Sequence, residues 1–354
     1  MRTRARPRGV DRLEFPPGLE TPPLECSLPH SRSPGLRVLI TGMNGFAGSH
    51  LADILVGLPD VEIWGVGRGG GERIAHLGER ARFRQGDLTM PAVAAEVLAE
   101  VRPDRIYHLA GQAFGPASWG DPWHTIETNV RSELNVLMVL AKYHSPARVL
   151  VVGSIDAYGI VEESALPMVE GTPMRPVTPY GVSKATQDLL ALQYFLSDHL
   201  QVVRVRPANH IGPRQDEAFV VSSFAKQIAE IEAGHRPPVL QVGNLSAKRD
   251  FTDVRDMVRA YHLALEKGVA GEAYNIGSGH PVAISRIVDL LLVASPVPIE
   301  VRPDPSRLRL SDAPVTCCDA AKLRAQTGWE PVVAIEQSVA DTLDYWRTRI
   351  QGAG

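Results

Sequence analysis

Arg37-Val-Leu-Ile-Thr-Gly-Met-Asn-Gly-Phe-Ala-Gly48 decides the fold of this chain. A short β-branched run enters three glycines, Gly42, Gly45 and Gly48, spaced G-x-x-G-x-x-G, and a helix-like stretch follows over 46–56. In such a strand–turn–helix the first glycine makes the tight turn. The second lets the backbone approach a pyrophosphate, and the third lets helix pack on strand. The helix N-terminus presents free N–H groups and a partial positive charge to the phosphates. Gly42, Asn44, Gly45, Phe46 and Gly48 are therefore the expected dinucleotide contacts.

Outward from that turn, β-branched runs alternate with helical stretches. The runs are Arg37–Ile40, Val61–Trp64, Arg105–Leu109, Arg148–Val152 and Val202–Val205, with helix-like segments near 46–56, 91–101, 123–143 and 180–199. This alternation predicts βαβ units and a parallel sheet covered on both faces, an α/β doubly wound Rossmann sheet. Beyond Pro207 the order breaks at Pro213, Pro237 and Pro238, and helices are expected at 219–233, 254–266, 284–293 and 335–349. The chain thus divides into a dinucleotide-binding domain, mainly 34–207, and a smaller mixed α/β C-terminal substrate lobe, mainly 208–354. Some segments of that lobe are expected to return to the Rossmann core. No internal repeat is visible.

An NAD site usually carries an acid at the end of the second strand, for the ribose 2′-OH. Here that strand ends Gly65-Val-Gly-Arg68-Gly-Gly-Gly71. A guanidinium suits the 2′-phosphate of NADP, so NADP(H) is expected, with NAD(H) as the alternative. Asp87 and Leu88, in Gly-Asp-Leu, are placed toward the adenine, and Leu109 and Ala110 close the run that begins at Arg105 beside the cofactor.

Tyr180-Gly-Val-Ser-Lys184 follows Pro179 and opens a helix, so Tyr180 and Lys184 share one face. A cation ~4 Å from the phenol, at an effective dielectric of ~20, is worth about 4 kcal/mol. That is enough to bring Tyr180 toward neutrality as a general acid–base. The run that begins at Arg148 ends Val152-Gly-Ser154-Ile-Asp156-Ala-Tyr158. Ligands of doubly wound sheets sit at the carboxyl ends of strands, so Ser154 is a candidate hydrogen-bond donor to the reacting oxygen. Asp156 is a possible auxiliary group. Tyr158 has no lysine four residues on and is read as structural.

In this order, T-G-x-x-G-F-x-G, H-L-A-x, S-x-x-x-Y-G and Y-G-V-S-K resemble the extended short-chain dehydrogenase/reductase family, from about Leu36 onward. The stretches Asn209-His-Ile-Gly-Pro-Arg-Gln215 and Val242 to Asp256 are similar to its GDP-sugar enzymes, most of all the GDP-4-keto-6-deoxy-mannose reductases, then the GDP-mannose 4,6-dehydratases. The resemblance implies that Ser154, Tyr180 and Lys184 form the catalytic group, Tyr180 and Lys184 also touching the cofactor. It implies that Asn209, Arg214, Lys226, Asn244, Arg249, Arg309 and Asp312 surround a GDP-sugar. It also implies a homodimer built on the helices near 123–143 and 180–199. The expected reaction is NADPH-dependent reduction of a GDP-4-keto-6-deoxyhexose to GDP-rhamnose. A 4,6-dehydratase or 4-epimerase is the enzyme alternative, and a cofactor-binding regulatory protein the other. Two positions depart from the pattern: Gly111 stands where alanine is usual, and Ile155, where the reductases carry serine, is expected to alter the sugar pocket.

Composition fits this reading. A net charge of −3 gives no global pull toward nucleic acid or membrane, and no apolar run approaches the ~20 residues of a membrane span. Of the three cysteines, Cys317 and Cys318 are vicinal and lack metal-ligand spacing, so no metal is expected. Residues 1–33, with five arginines by position 12 and no apolar h-region, read as a disordered tail and not a secretory signal. A cytoplasmic location follows.

Overall fold

The computed structural model describes residues 35–308 and 313–352. The expected tail therefore lies outside the described residues, as do Arg309 and Asp312.

The first half builds β1 (Leu36–Thr41), α1 (Phe46–Leu55), β2 (Val61–Gly67), β3 (Ala81–Gln85), α2 (Pro91–Val101) and β4 (Arg105–His108). Two short helices, α3 (Ala117–Gly120) and α4 (Pro122–Ile126), lead through a π turn at Glu127–Arg131 into α5 (Ser132–Lys142). Then come β5 (Arg148–Val152), α6 (Pro179–Asp198) and β6 (Gln201–Pro207). The second half runs β7 (Asn209–Ile211), α7 (Val220–Glu232), β8 (Val239–Val242), β9 (Lys248–Asp253), α8 (Val254–Lys267) and β10 (Ala273–Ile276). It ends with β11 (Pro281–Ala283), α9 (Ile284–Ala294), β12 (Glu300–Pro303), β13 (Val315–Thr316), α10 (Ala321–Thr327) and α11 (Ile335–Gln351).

Seven strands form one parallel sheet in the order β3-β2-β1-β4-β5-β6-β10. Alternation along each strand divides the core between its faces. Val38, Ile40 and Leu150 pack with Leu51, Leu55, Tyr261 and Leu265 of α1 and α8. Leu39, Val149 and Val151 face the other way, against Val97, Leu98, Val136 and Leu140 of α2 and α5. Helix α8 and strand β10 come from the second half of the chain yet belong to this core. The substrate-side lobe has its own core, in which Phe224 and Ile228 of α7 meet Ile287 and Leu291 of α9 and Leu343 of α11. No helix among the described residues is long and apolar enough to cross a membrane.

The strand order reverses at β1, whose neighbours are β2 and β4. Thr41 holds that crevice in shape: its Oγ1 accepts from the N–H of Leu109 at 3.1 Å and of Ala110 at 3.0 Å. A doubly wound sheet takes its ligand at this place.

Candidate active site

At the crevice, Gly42 has φ +71°, and a Cβ on it would meet the Ala110 nitrogen at 3.0 Å. A Cβ on Gly48 would stand 2.2 Å from the carbonyl oxygen of Gly42. Both positions therefore demand glycine, and α1 begins hard against the turn. A cavity of about 360 Å³ opens over it, walled by Gly42, Gly45, Phe46, Gly48, Leu109, Tyr180 and Lys184 among others. This backbone cradle fits a dinucleotide pyrophosphate.

The remaining expected contacts lie outside that wall. Asn44 donates to the Gly70 carbonyl at 2.9 Å and ties the glycine turn to the loop after β2. Arg68 is exposed directly after β2, and its carbonyl accepts from Gln85 at 2.7 Å. Asp87 accepts from the N–H and hydroxyl of Thr89, Leu88 is a core residue, and Ala110 is held by Thr41. Sequence reasoning missed Arg73, a cation in the cavity wall that faces Asp216 at 4.0 Å.

The catalytic candidates converge. Thr178 caps α6 by accepting from the N–H of Gly181 at 2.9 Å, and Pro179 pre-sets the first turn, so Tyr180 and Lys184 enter the cavity side by side. Ser154, at the end of β5, accepts from the N–H of Asp156 at 3.1 Å, which leaves its single hydroxyl hydrogen to be directed into the cavity toward Tyr180 or a substrate oxygen. Ser154 also bonds to Tyr180, an effect that lowers the phenol's pKa. Two larger effects oppose it: burial, then the Asp156 carboxylate, hold Tyr180 above the usual phenol range.

The expected fall of Tyr180 toward neutrality under Lys184 is therefore not met, because burial and Asp156 outweigh any such pull. The ammonium donates to the Val152 carbonyl at 2.9 Å and stands 5.9 Å from the centre of the Tyr180 ring. Burial pushes Lys184 itself down to about 8, against an opposing pull from Glu133. His108 is pushed down to about 3, by burial first and Lys184 second, so it is neutral. Tyr158 is structural: its hydroxyl donates to Asn275 at 2.7 Å and accepts from Arg206 at 2.8 Å.

The two departures from the family pattern have physical accounts. A Cβ on Gly111 would stand 2.7 Å from Oδ1 of Asn129, which accepts from the Gln112 N–H at 2.6 Å. Ile155 is buried with Tyr158, Met168, Ala208 and Cys318, so the expectation that it shapes the sugar pocket is not met.

A second cavity, about 530 Å³, adjoins the first, and Phe114, Asp156 and Asn209 wall both. Asn209, Asn244 and Arg249 line it as expected, and so does Arg307, which sequence reasoning missed. Arg307 donates to Ser223 at 3.2 Å. Arg214 and Lys226 are not in its wall. Arg214 bonds to Asp53 and, at 2.7 Å, to His50, while Lys226 pairs with Glu217. Both cations are thus spent on local partners, which corrects their assignment to the substrate. Among the described residues no group of three or more His, Cys, Asp or Glu is placed to hold a metal ion.

Known proteins agree with this architecture. The GDP-6-deoxy-D-mannose reductase of Pseudomonas aeruginosa is 35% identical over 315 residues, covering 89% of this chain and 98% of that one. The UDP-glucose 4-epimerase of Mycolicibacterium smegmatis is 30% identical, covering 89% of this chain and all of its own length (100%). Among solved structures, RMD from Pseudomonas aeruginosa complexed with NADPH superimposes with a TM-score of 0.77 at 33% identity, covering 89% and 99% of the two chains. The Thermus thermophilus UDP-glucose 4-epimerase complex with NAD gives 0.78 at 29% identity, covering 88% and 99%. The family model for GDP-mannose 4,6 dehydratase matches residues 39–342. This chain belongs to the GDP-mannose 4,6-dehydratase family, within the extended short-chain dehydrogenases/reductases.

Proposed function

We propose that the protein reduces the 4-keto group of a GDP-4-keto-6-deoxyhexose with NADPH, converting GDP-4-dehydro-6-deoxy-D-mannose to GDP-D-rhamnose. The observation that carries this reading is the joining of the two cavities at Asp156 and Asn209, beside Ser154, Tyr180 and Lys184. When bound, NADPH would supply the hydride that reduction of the C4 ketone requires. Tyr180, protonated because burial and Asp156 disfavour its anion, delivers a proton to the C4 oxygen. Ser154, whose oxygen already accepts from Asp156, donates to that same oxygen. Lys184, as a cation, stabilises the phenolate left on Tyr180. Arg249 and Arg307 suit the diphosphate.

The choice of reductase over dehydratase is supported by the relatives: the reductase is 35% identical, the GDP-mannose 4,6-dehydratase of Sordaria araneosa 27%. We further propose a cytoplasmic homodimer, paired through α5 and α6. Val182, Leu189 and Leu196 recur every seven residues along α6 and are all exposed.

Incubation of the purified protein with NADPH and a panel of nucleotide sugars, read by mass spectrometry, tests the proposal. One NADPH should disappear for each GDP-4-keto-6-deoxyhexose reduced. Cofactor binding without turnover of any keto sugar would leave the regulatory alternative standing instead.

A further inference from the structure

Glu133, the second residue of α5, is only 1% exposed, and the Gln187 amide is the single hydrogen-bonding group within its reach, too poorly aligned to satisfy either carboxylate oxygen. A buried carboxyl left in this way costs stability, and nothing in the packing of α5 on α6 asks for one. Its surroundings are specific. The amide of Gln187 lies alongside, its Nε2 donating to the Asn129 carbonyl at 2.9 Å. Lys184 and Asp188 of α6 are the charged groups that act on it. Asp188 is already paired with Arg204 and Arg206 of β6. From β4, the neutral His108 faces Lys184. Lys184 is thus the cation left to interact with Glu133.

We propose that Glu133 is a positioning residue of the catalytic group, its buried carboxyl on α5 acting through its charge to stabilise the Lys184 ammonium on α6. This rests on reading Lys184 as the cation that supports Tyr180. When both groups hold their protons, the pair carries one positive charge. Loss of the first proton from Glu133 leaves Lys184 charged, with a carboxylate to stabilise it. A neutral residue at 133 removes that route, and the proton must then leave the lysine. Mutual attraction in a buried site is strong enough to matter. The directions agree: burial holds Glu133 well above the ordinary carboxylate range with Lys184 opposing, and Glu133 draws Lys184 upward.

The test is the pH dependence of NADPH-driven turnover, and in parallel of NADPH affinity by fluorescence, in wild type, E133Q, E133L and E133D. In E133Q and E133L the alkaline limb should move toward acid by about one pH unit, a ~tenfold loss at fixed pH on that limb. E133D, which keeps a carboxyl, should restore the limb at least in part. Should E133Q fail to fold, E133L carries the same readout. Normalised profiles that superimpose on wild type, whatever happens to melting temperature, would overturn the proposal. Lys184→Met that retains full turnover would instead overturn the catalytic reading beneath it.

Discussion

Lys184 donates to the carbonyl of Val152 at 2.9 Å, and its ammonium lies 5.9 Å from the centre of the Tyr180 ring. The lysine is anchored to β5, and burial and Asp156 leave Tyr180 a protonated acid at neutral pH. An acid is what reduction needs. Deprotonating Lys184, which burial brings to about 8, removes the charge that supports the phenolate. Reductive turnover is therefore expected to fall as pH rises through about 8. Tyr180→Phe should lose ~10²–10⁴ in rate while NADPH binding survives. A rate that climbs through that range, or a Phe variant keeping more than about a tenth of wild-type turnover, excludes Tyr180 as the acid.

Gly111 is tied to Asn129 by space. Alanine there drives a methyl to 2.7 Å from Asn129 Oδ1 and disturbs the bonds of Asn129 to Gln112 and, at 2.8 Å, to Ser183. Overpacking of this kind typically costs ~1–3 kcal/mol. Gly111→Ala should lower the melting temperature by several degrees, measured by calorimetry. An unchanged transition means that Asn129 moves aside freely.

Much of this was legible in the sequence, and the gaps have physical causes. The glycine turn, Tyr180 and Lys184 were readable because their roles depend on neighbours within one turn or one helix. Strand β3, Ala-Arg-Phe-Arg-Gln, escaped because it is a half-buried edge strand without the apolar run of β1 or β5. Strand β10 is four residues long, and its place beside β6 depends on a crossover through the other lobe. Arg214 misled for the reverse reason. Its motif is local, but Asp53, the carboxylate that claims it, is 161 residues away in sequence. Glu133 carries no motif, and only the packing of α5 on α6 singles it out.

Arg68 is expected to choose the cofactor. It emerges exposed from β2, where the ribose of a bound dinucleotide would lie, and no acid occupies that strand end. Loss of one charge-assisted hydrogen bond costs ~1.5–3 kcal/mol, roughly ten- to a hundredfold in affinity. Arg68→Ala should weaken NADPH by that factor in a titration and spare NADH. Equal losses for both would move the assignment to a cation such as Arg73, in the cavity wall.

Arg249 and Arg214 should separate cleanly. Arg249 lines the larger cavity, buried and braced by its bond to the Ala313 carbonyl at 2.8 Å. Arg249→Ala is expected to raise KM for the nucleotide sugar at least about tenfold, from loss of a charged partner to phosphate. Arg214→Ala should leave KM alone and lower thermal stability, since it takes one partner each from Asp53 and His50. The opposite pattern in steady-state kinetics would return Arg214 to the substrate.

Asp156 decides between reduction and elimination. It stands at the junction of both cavities, close enough to Tyr180 to disfavour the phenolate. A 4,6-dehydratase needs a second base to take the proton next to the transient C4 ketone. An aspartate is one methylene shorter than a glutamate, which withdraws its carboxylate by ~1.5 Å, about one carbon–carbon bond. A misplacement of ~1 Å can cost ~10²-fold in such chemistry. Its effect on Tyr180 is better suited to keeping an acid protonated than to abstracting a proton. Given GDP-mannose and NADP⁺, the purified enzyme should therefore form no 4-keto-6-deoxy product. Asp156→Asn, with that charge removed, should still reduce the keto sugar, its alkaline limb still set by Lys184 because burial alone keeps the phenol protonated there. Steady dehydration of GDP-mannose by the wild type, abolished in Asp156→Asn, would make Asp156 the elimination base and the protein a dehydratase.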